Sequence, residues 1–493
     1  MLKNILVLGG GSAGLIAALT LKRRLPELSV RVVRSPEIGI IGVGEGTTVD
    51  FPNHFFVTLG LNPKQFYLQA EPTWKLGLRF LWGPSPEFFY PFKSEHDHRY
   101  ADLPRNTGFY QTAERRWLGR TSALMAHDKA FLRRPDGKPD LSMPHGFHIE
   151  NVKLVRWLES VCRTLGVQIT DGTVREAERG ERVISALLLE SGERVEADLF
   201  IDASGFRSEL LGRALAEPYI PYDRSLFCDR AVIAGWPRTT EVIHPYTLAE
   251  TMDAGWCWQI EHEHWINRGY VYSSRFISDD AARAELLAKN PQIANEPRIV
   301  KFRSGRFARS WVGNVVGIGN ASGFVEPLEA TALHMICAQS RWVSDAIRDL
   351  APLEPTPTAV AIYNHLNGEF WDDIRNFLAI HYAFNTRLET PFWQTCRAET
   401  DLAGAVPFVQ FYRENGPSLL GAPLLSPLNS FGVNGHLALL CGQQVPHGNP
   451  HQPDSAEEQI WRGRTAELAA EAKRGFSVEQ ALTAIRNTQW KWA

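Results

Sequence analysis

Residues 255–265 read GWCWQIEHEHW, three tryptophans and two histidines within eleven positions. Two chemistries compete for the stretch. His262 and His264, flanked by Glu261 and Glu263, are metal-ligand types, but a zinc site needs three or four ligands and no clear third stands nearby. A half-exposed strand is the plainer reading of the histidines. Trp256 and Trp258 fall two residues apart, so in a strand they share one face and form an apolar wall that donates no catalytic group. Elsewhere, WKLGLRF (74–80) places Lys75 beside Trp74, and VEPLE (325–329) brackets a proline with Glu326 and Glu329. An amine can act as nucleophile or hydrogen-bond donor, and a carboxylate as proton acceptor. On local grounds alone, Lys75 reads as a surface lysine laying its stem along the indole. Glu326 reads as a helix N-cap partner ahead of Pro327.

A third group works through its backbone. Gly9-Gly10-Gly11-Ser12-Ala13-Gly14 follows the apolar run Asn4–Leu8, which suits a central parallel strand. In the GxGxxG pattern Gly9 permits the tight turn, Gly11 admits a pyrophosphate, and Gly14 lets helix approach strand. The helix N-terminus then offers free N–H groups and positive dipole to phosphates. Gly14, Ala17, Ala18, Leu21 and Leu25 line one apolar helix face, and VRVV (30–33) supplies the second strand of a β-α-β unit. That strand should end on an acid that holds the adenosine ribose, and it reads Val33-Arg34-Ser35 instead. Arg34 cannot accept hydrogen bonds from hydroxyls. It is left to a phosphate, the adenine face or solvent, and an NADP reading is open in principle.

Further along, residues 50–135 read as irregular. A helix over 150–165 ends at Gly166, with a strand over 167–170. Strands fill 182–203 and 228–275, and 311–319 reads as a strand entering a helix. From about 332 the pattern is mostly helical, with capping boxes at Ser455…Glu458 and Ser477…Gln480. Long insertions between sheet segments imply modules that interleave in sequence.

With 493 residues, 44% hydrophobic, 22% charged and net charge −3, the chain has ordinary globular composition with no call on nucleic acid or an anionic membrane. Fifteen Trp, 26 Phe and 12 Tyr suit large cores and aromatic pockets alike. Six scattered cysteines without a CxxC pair argue for a reducing compartment. The apolar N-terminus is a nucleotide-binding unit rather than a signal peptide, and no apolar run is long enough to span a bilayer. A cytoplasmic protein is expected.

ADLFIDASGFRSELL (197–211) and VGIGNASGFVEPLEATALH (316–334), with the N-terminal loop, resemble the FAD module of single-Rossmann flavoproteins. Together with IGVGEGTT (41–48), WKLGLRF, Gly255–Ile260 and IRNFLAIHYAFNTRLETPFW (374–393), nearly the whole chain resembles flavin-dependent halogenases of the tryptophan halogenase family. The resemblance implies a mixed α/β fold, with a Rossmann-like FAD module of the flavin monooxygenase type over 1–50, 145–230 and 300–345. It implies substrate-facing insertions at 51–144 and 231–299, and a mainly helical substrate module over 346–493. FAD, as FADH2 from a separate NAD(P)H-dependent flavin reductase, would react with oxygen and halide to give hypohalous acid. A tunnel carries that acid to the catalytic Lys75, and Glu329 is the second catalytic residue, stabilising the cationic ring and taking its proton. Gly9, Gly11, Ser12, Ala13, Gly14, Arg34, Gly42, Val43, Glu45, Val174 and Asn320 would hold the cofactor. Thr331 and Ala332 would hold halide through backbone N–H groups, unless the site needs φ > 0 at Ala332. A serine of the tryptophan enzymes is Ala330 here, which leaves bromide and chloride both open. Trp256, Trp258 and Ile260 match the family's WxWxIP except that Glu261 replaces its proline, adding a charge beside the wall.

On the substrate side, Tyr90-Pro91-Phe92 takes the place of the tryptophan enzymes' His-Pro-Phe, so Phe92 can stack on an indole. SFGVNGHLALLCGQ (430–443) lacks the Tyr and Trp that hold the amino acid head in those enzymes. The expected substrate is therefore indole, a substituted indole or phenol, or something larger, rather than free tryptophan. A flavin-dependent aromatic hydroxylase and a silent flavin-binding protein are the alternatives, and a homodimer stays open.

Overall fold

In a computed structural model of the protein, residues 2–39, 44–93, 119–350, 355–449, 451 and 453–492 are described. The chain forms two compact units, each assembled from three segments. Met1–Glu71, Ile149–Asp223 and Phe302–Ile374 make the first, and Pro72–His148, Arg224–Lys301 and Arg375–Ala493 the second.

The first unit grows from NILVL. Every residue of the strand Asn4–Leu8 after Asn4 is buried, as a strand covered on both faces must be. It pairs in parallel with Leu199–Asp202 on one side and Ser29–Arg34 on the other. Val315–Gly317 and Gln168–Asp171 extend the parallel sheet outward, and the antiparallel Trp311–Val312 completes its six strands. The helix Ser12–Arg24 is more deeply placed than a one-face pattern predicts. All residues from Gly14 to Leu21 are buried, because the helix packs against Asn151–Thr164 and Ala332–Leu350 as well as the sheet. Lys22, Arg23 and Arg24 crowd its last turn, where cations offset the negative end of the dipole. Asn151–Thr164 stops ahead of Gly166, whose φ of +82° is the left-handed geometry expected of a helix-ending glycine.

In the second unit a seven-stranded sheet runs in the order Arg298–Lys301, Arg230–Pro237, Trp265–Tyr272, Gly255–Glu261, Thr247–Met252, Gly77–Leu81, Phe88–Pro91. Its central strand Gly255–Glu261 is buried at every position but Gln259. Alternation decides what each face meets. Cys257 joins Val232, Tyr270, Tyr272 and Leu286 of the helix Asp279–Lys289 in one apolar cluster, so Trp256 and Trp258 project to the other face.

Three local expectations need correction. Residues 50–135 are not irregular throughout: they contain the helix Pro63–Gln69 and the strands Thr73–Lys75, Gly77–Leu81 and Phe88–Pro91. Gly77–Leu81 and Phe88–Pro91 form a local antiparallel pair, but Thr73–Lys75 pairs with residues 146–148 and Gly77–Leu81 pairs in parallel with Thr247–Met252, partners of which local pattern carries little sign. The 311–319 stretch is a tight hairpin turned at Gly313 (φ +56°), followed by a 3₁₀ turn Gly319–Ala321, and the helix begins only at Ala332. Finally, the helix Ser455–Lys473 is capped by Asp454 with Glu457, one residue ahead of the expected box. The Asp454 carboxylate accepts from the N–H groups of Ala456 and Glu457 at 2.8 and 2.9 Å, a stronger acceptor than the serine hydroxyl next to it. The box at Ser477…Gln480 is present as read.

One close backbone approach in the first unit gives a direct test. A Cβ on Gly14 would stand 1.9 Å from the Gly9 carbonyl oxygen. Gly14→Ala should therefore cost about 1–3 kcal/mol through overpacking, read as a lower melting temperature, whereas an alanine at the unobstructed Gly11 should cost far less.

Candidate active site

The loop after Asn4–Leu8 divides its labour among three glycines. Gly9 has φ +125° and lies against the Ala203 carbonyl, 2.3 Å from where its Cβ would be. Gly14 closes helix onto turn. At Gly11 an added Cβ would meet nothing within 4 Å, so the space in front of the helix is open. Gly11 is the N-cap and no side chain caps the helix, which leaves the N–H groups of Ser12, Ala13 and Gly14 for an anion. An unfilled cradle at a helix N-terminus fits a dinucleotide pyrophosphate. Gly319, at φ +63°, brings the turn bearing Asn320 against Ala13, 3.1 Å from the Cβ position of Gly319 to that of Ala13. Gln339 fixes this turn by accepting from Gly319 N at 2.8 Å.

Arg34 closes the strand Ser29–Arg34, and two carboxylates claim it: Glu159 at 2.7 Å and Asp171 at 2.8 Å. It is thus tied to neighbouring elements rather than simply solvated. Val174 opens the strand Val174–Arg179 beside the apolar cluster of the sheet. Glu45 lies on the strand Gly44–Gly46, its carboxylate 3.5 Å from Asn151 Nδ2, and burial pushes its pKa up to about 7. Gly42 and Val43 lie outside the described residues.

The other group in this unit is VEPLEATALH. Pro327–Glu329 forms a 3₁₀ turn with Glu326 and Glu329 both buried, and Ala330 N donates to Pro327 O at 3.0 Å. Left-handed backbone does occur here, but at Ala330 (φ +55°) rather than at Ala332, which is the first residue of Ala332–Leu350. An alanine in that region costs about 1 kcal/mol, a strain the turn absorbs to redirect the chain. Thr331 O accepts the first helical bond from Met335 N at 2.9 Å, so the N–H groups of Thr331, Ala332 and Leu333 head the helix. Sequence reasoning missed His334 in the same turn. It is buried, with Nε2 3.4 Å from Asp50 Oδ2, and burial lowers its pKa. A histidine in the apolar first turn of this helix carries no signal of an acid that far back in sequence.

Lys75 belongs to the second unit. The strand Thr73–Lys75 pairs with residues 146–148, placing Lys75 opposite Gly146 and Thr73 opposite His148. Trp74 turns away and packs edge-on against Phe131 at 5.0 Å, so the lysine does not lie along that indole on a surface: it has no exposed area. Its ammonium stands 5.2 Å from the centre of the Phe92 ring. Tyr90 sits deeper, on Phe88–Pro91, with its hydroxyl 2.7 Å from the Cβ position of Gly435 on the helix Gly432–Gly442.

Trp256 and Trp258 lie side by side with ring centres 6.0 Å apart. Ile260, one step further on the same face, is buried as well. A residue not singled out on sequence sets the wall's geometry. Gly269, opposite Trp258 on the next strand, would place a Cβ 1.9 Å from the Trp258 ring, so the indole lies flat across bare backbone. His262 is buried and His264 has 76% side-chain exposure, so the two do not converge on a common ligand. Glu261 is not a loose charge beside the wall: it is 2% exposed and ion-paired with Arg238.

Glu45 makes the first unit sensitive to pH with a definite sign. An unfolded glutamate titrates near 4.5, so between there and about 7 the folded unit keeps a proton that the unfolded chain has released. The Glu45 contribution to stability is complete below about 4.5 and declines as pH rises to about 7. Denaturant unfolding of the flavin-free protein across this window should show that decline, and Glu45→Gln should flatten it; an identical slope would contradict the assignment.

Residues 4–455 match the family model for tryptophan halogenase. The tryptophan 6-halogenase ThaL of Streptomyces albogriseolus is 32% identical over 449 residues, 84% of this chain and 83% of its own. Among solved structures, MibH, a lathipeptide tryptophan 5-halogenase, has a TM-score of 0.87 at 36% identity, covering 98% of this chain and 93% of its own. BrvH, a flavin-dependent halogenase from Brevundimonas sp. BAL3, has a TM-score of 0.83 at 26% identity, covering 99% and 100%. The motifs at both ends of the chain, the open cradle at Gly11 and these matches agree, and the chain belongs to the tryptophan halogenase family as a flavin-dependent halogenase.

Proposed function

We propose that this halogenase acts on an indole or substituted indole without a free amino acid head, using FADH2 delivered by a separate NAD(P)H-dependent reductase. Lys75 carries the reading. A lysine without exposed surface loses its hydration and is rarely kept for stability, and this one faces an aromatic ring. Reduced FAD, when bound at the Gly9–Gly14 cradle, supplies the electrons by which oxygen and halide become hypohalous acid and water.

The backbone N–H groups of Thr331 and Ala332 hold the halide at the positive end of the helix, a contact that does not depend on side-chain identity. Either bromide or chloride suits such donors. The Lys75 ammonium donates to the oxygen of hypohalous acid and polarises its bond to the halogen. The ring carbon forms a bond to the halogen as the halogen–oxygen bond breaks, and the oxygen takes a proton from the Lys75 ammonium and leaves as water. Glu329 stabilises the cationic ring and takes the proton from the substituted carbon. Trp256 and Trp258 keep a bulky aromatic from the flavin while small acid passes.

The substrate assignment rests on the helix Gly432–Gly442. It carries no Asp, Glu, Lys or Arg, and burial holds His436 neutral with a pKa of about 4. Nothing there matches a zwitterion, and a site without those partners gains nothing from one. The likeness to MibH supports a tryptophan side chain within a peptide as one such ring.

Incubation with bromide, FAD and a generic flavin reductase tests both parts. Indole and an amide-capped tryptophan should be brominated faster than L-tryptophan; turnover of L-tryptophan alone would refute the substrate class. Lys75→Ala should still bind FAD and consume oxygen, yet lose bromination by a factor of at least about 100. Undiminished bromination would remove Lys75 from the mechanism, and hydroxylated product without halide would favour a hydroxylase.

A further inference from the structure

A network of buried amides backs the turn Gly319–Ala321. Gln339, two helical turns into Ala332–Leu350, has no exposed area. Its Oε1 accepts from Gly319 N at 2.8 Å, and its Nε2 donates to Ser322 Oγ at 2.7 Å and to Asn367 Oδ1 at 2.8 Å. Asn367, on the helix Pro357–Ala383, gives its own Nδ2 to the Tyr363 carbonyl at 2.9 Å, which turns its oxygen toward Gln339. An oxygen on one side and a backbone N–H on the other fix which end of the Gln339 amide is which. Ser322 completes the clamp. Its hydroxyl donates to the Gly319 carbonyl at 3.0 Å, beside the Ser322 N–H at 2.9 Å from the same oxygen.

What these bonds fix is a spacing. Gly319 has φ +63°, and its Cβ position lies 3.1 Å from Ala13 Cβ and 3.1 Å from Ile336 Cγ1. The turn is thus seated between the first turn of Ser12–Arg24 and the helix that carries both Ile336 and Gln339. Ala13 is one of the three residues whose N–H groups head the open cradle, and the turn bears Asn320. A neutral amide suits the place, since it supplies an acceptor and two donors without a buried charge. An apolar side chain there would strand the Gly319 N–H away from water.

We propose that Gln339 is a positioning residue for the flavin: it holds the turn Gly319–Ala321 at the spacing from the Ser12, Ala13 and Gly14 N–H groups that a dinucleotide needs. The inference rests on reading the Gly9–Gly14 loop as the FAD cradle. Gln339 acts through the turn. Without it the turn is no longer set before the cofactor arrives, so binding must restore the arrangement and affinity falls.

Fluorescence titration of the flavin-free protein with FAD measures this without turnover. Gln339→Met matches the side chain in length but has no amide; it should raise the Kd for FAD about tenfold, at a temperature where circular dichroism shows it folded. Gln339→Glu keeps an acceptor for Gly319 N and, while protonated, one donor. It should bind FAD within about threefold of the parent at low pH, then weaken relative to the parent as the carboxylate forms against Asn367 Oδ1. A network serving stability alone would lower the melting temperature of both variants and leave both Kd values at the parent's, which overturns the proposal. Should Gln339→Met not fold, Gln339→Glu decides alone, and an affinity that tracks the parent at every pH overturns it. Gly11→Asp separates the two claims. It sets a carboxylate where the phosphates would lie, at a cap position that favours aspartate, so it should fold and lose FAD. Undiminished binding by Gly11→Asp rejects the cradle, whereas lost binding there with unaltered Kd in both Gln339 variants rejects the Gln339 inference alone.

Discussion

The turn at the head of the first sheet exists because two methyl groups are missing. The Gly9 carbonyl lies where a Cβ on Gly14 would be, and Gly9 itself crosses the Ala203 carbonyl at the end of the neighbouring strand. These approaches let the first strand, the first helix and the segment after Leu199–Asp202 meet at one place. Asp202 fastens that meeting point from below. Its buried carboxylate accepts from Ser204 N and Oγ and from the N–H groups of Leu210 and Leu211, with burial as the main influence raising its pKa. Loosening any of these contacts would separate the helix dipole from the open space in front of Gly11, the place that fits a pyrophosphate.

Features that depend on a residue's own sterics were legible in the sequence. The glycine spacing at 9–14, the alternation that puts Trp256 and Trp258 on one face, and the left-handed Gly166 each follow from one residue's allowed geometry. What stayed hidden depends on partners remote in the chain. Arg34 could not be assigned because Glu159 and Asp171 belong to other elements. Thr73–Lys75 could not be read as a strand because its ladder is supplied by residues 146–148. At Ala330 the difficulty was different: nothing about an alanine announces φ +55°, and only the surrounding turn imposes it.

The second unit faces a harder problem than the first, since it keeps cations out of water. A buried guanidinium or ammonium is tolerated only with well-placed acceptors. Arg238 satisfies this with a carboxylate and three carbonyls, and Arg268 with Glu250. Burial first, and then the positive fields of Lys75, His262 and Arg238, disfavour a further charge on His148 in the same neighbourhood. Beside these groups, the Glu261 carbonyl accepts from Thr73 Oγ1 and so ties the wall strand to the strand of Lys75.

The bare backbone at Gly269 has a consequence for how the pair of tryptophans evolves. Trp258 lies flat because its neighbour has no side chain, so the placement of its indole is governed from the adjoining strand. Any side chain at Gly269 would displace the Trp258 indole, so a single step at that position reshapes the wall while both tryptophans are retained in the sequence. A comparison confined to the two tryptophans would overlook the residue that decides how one of them lies.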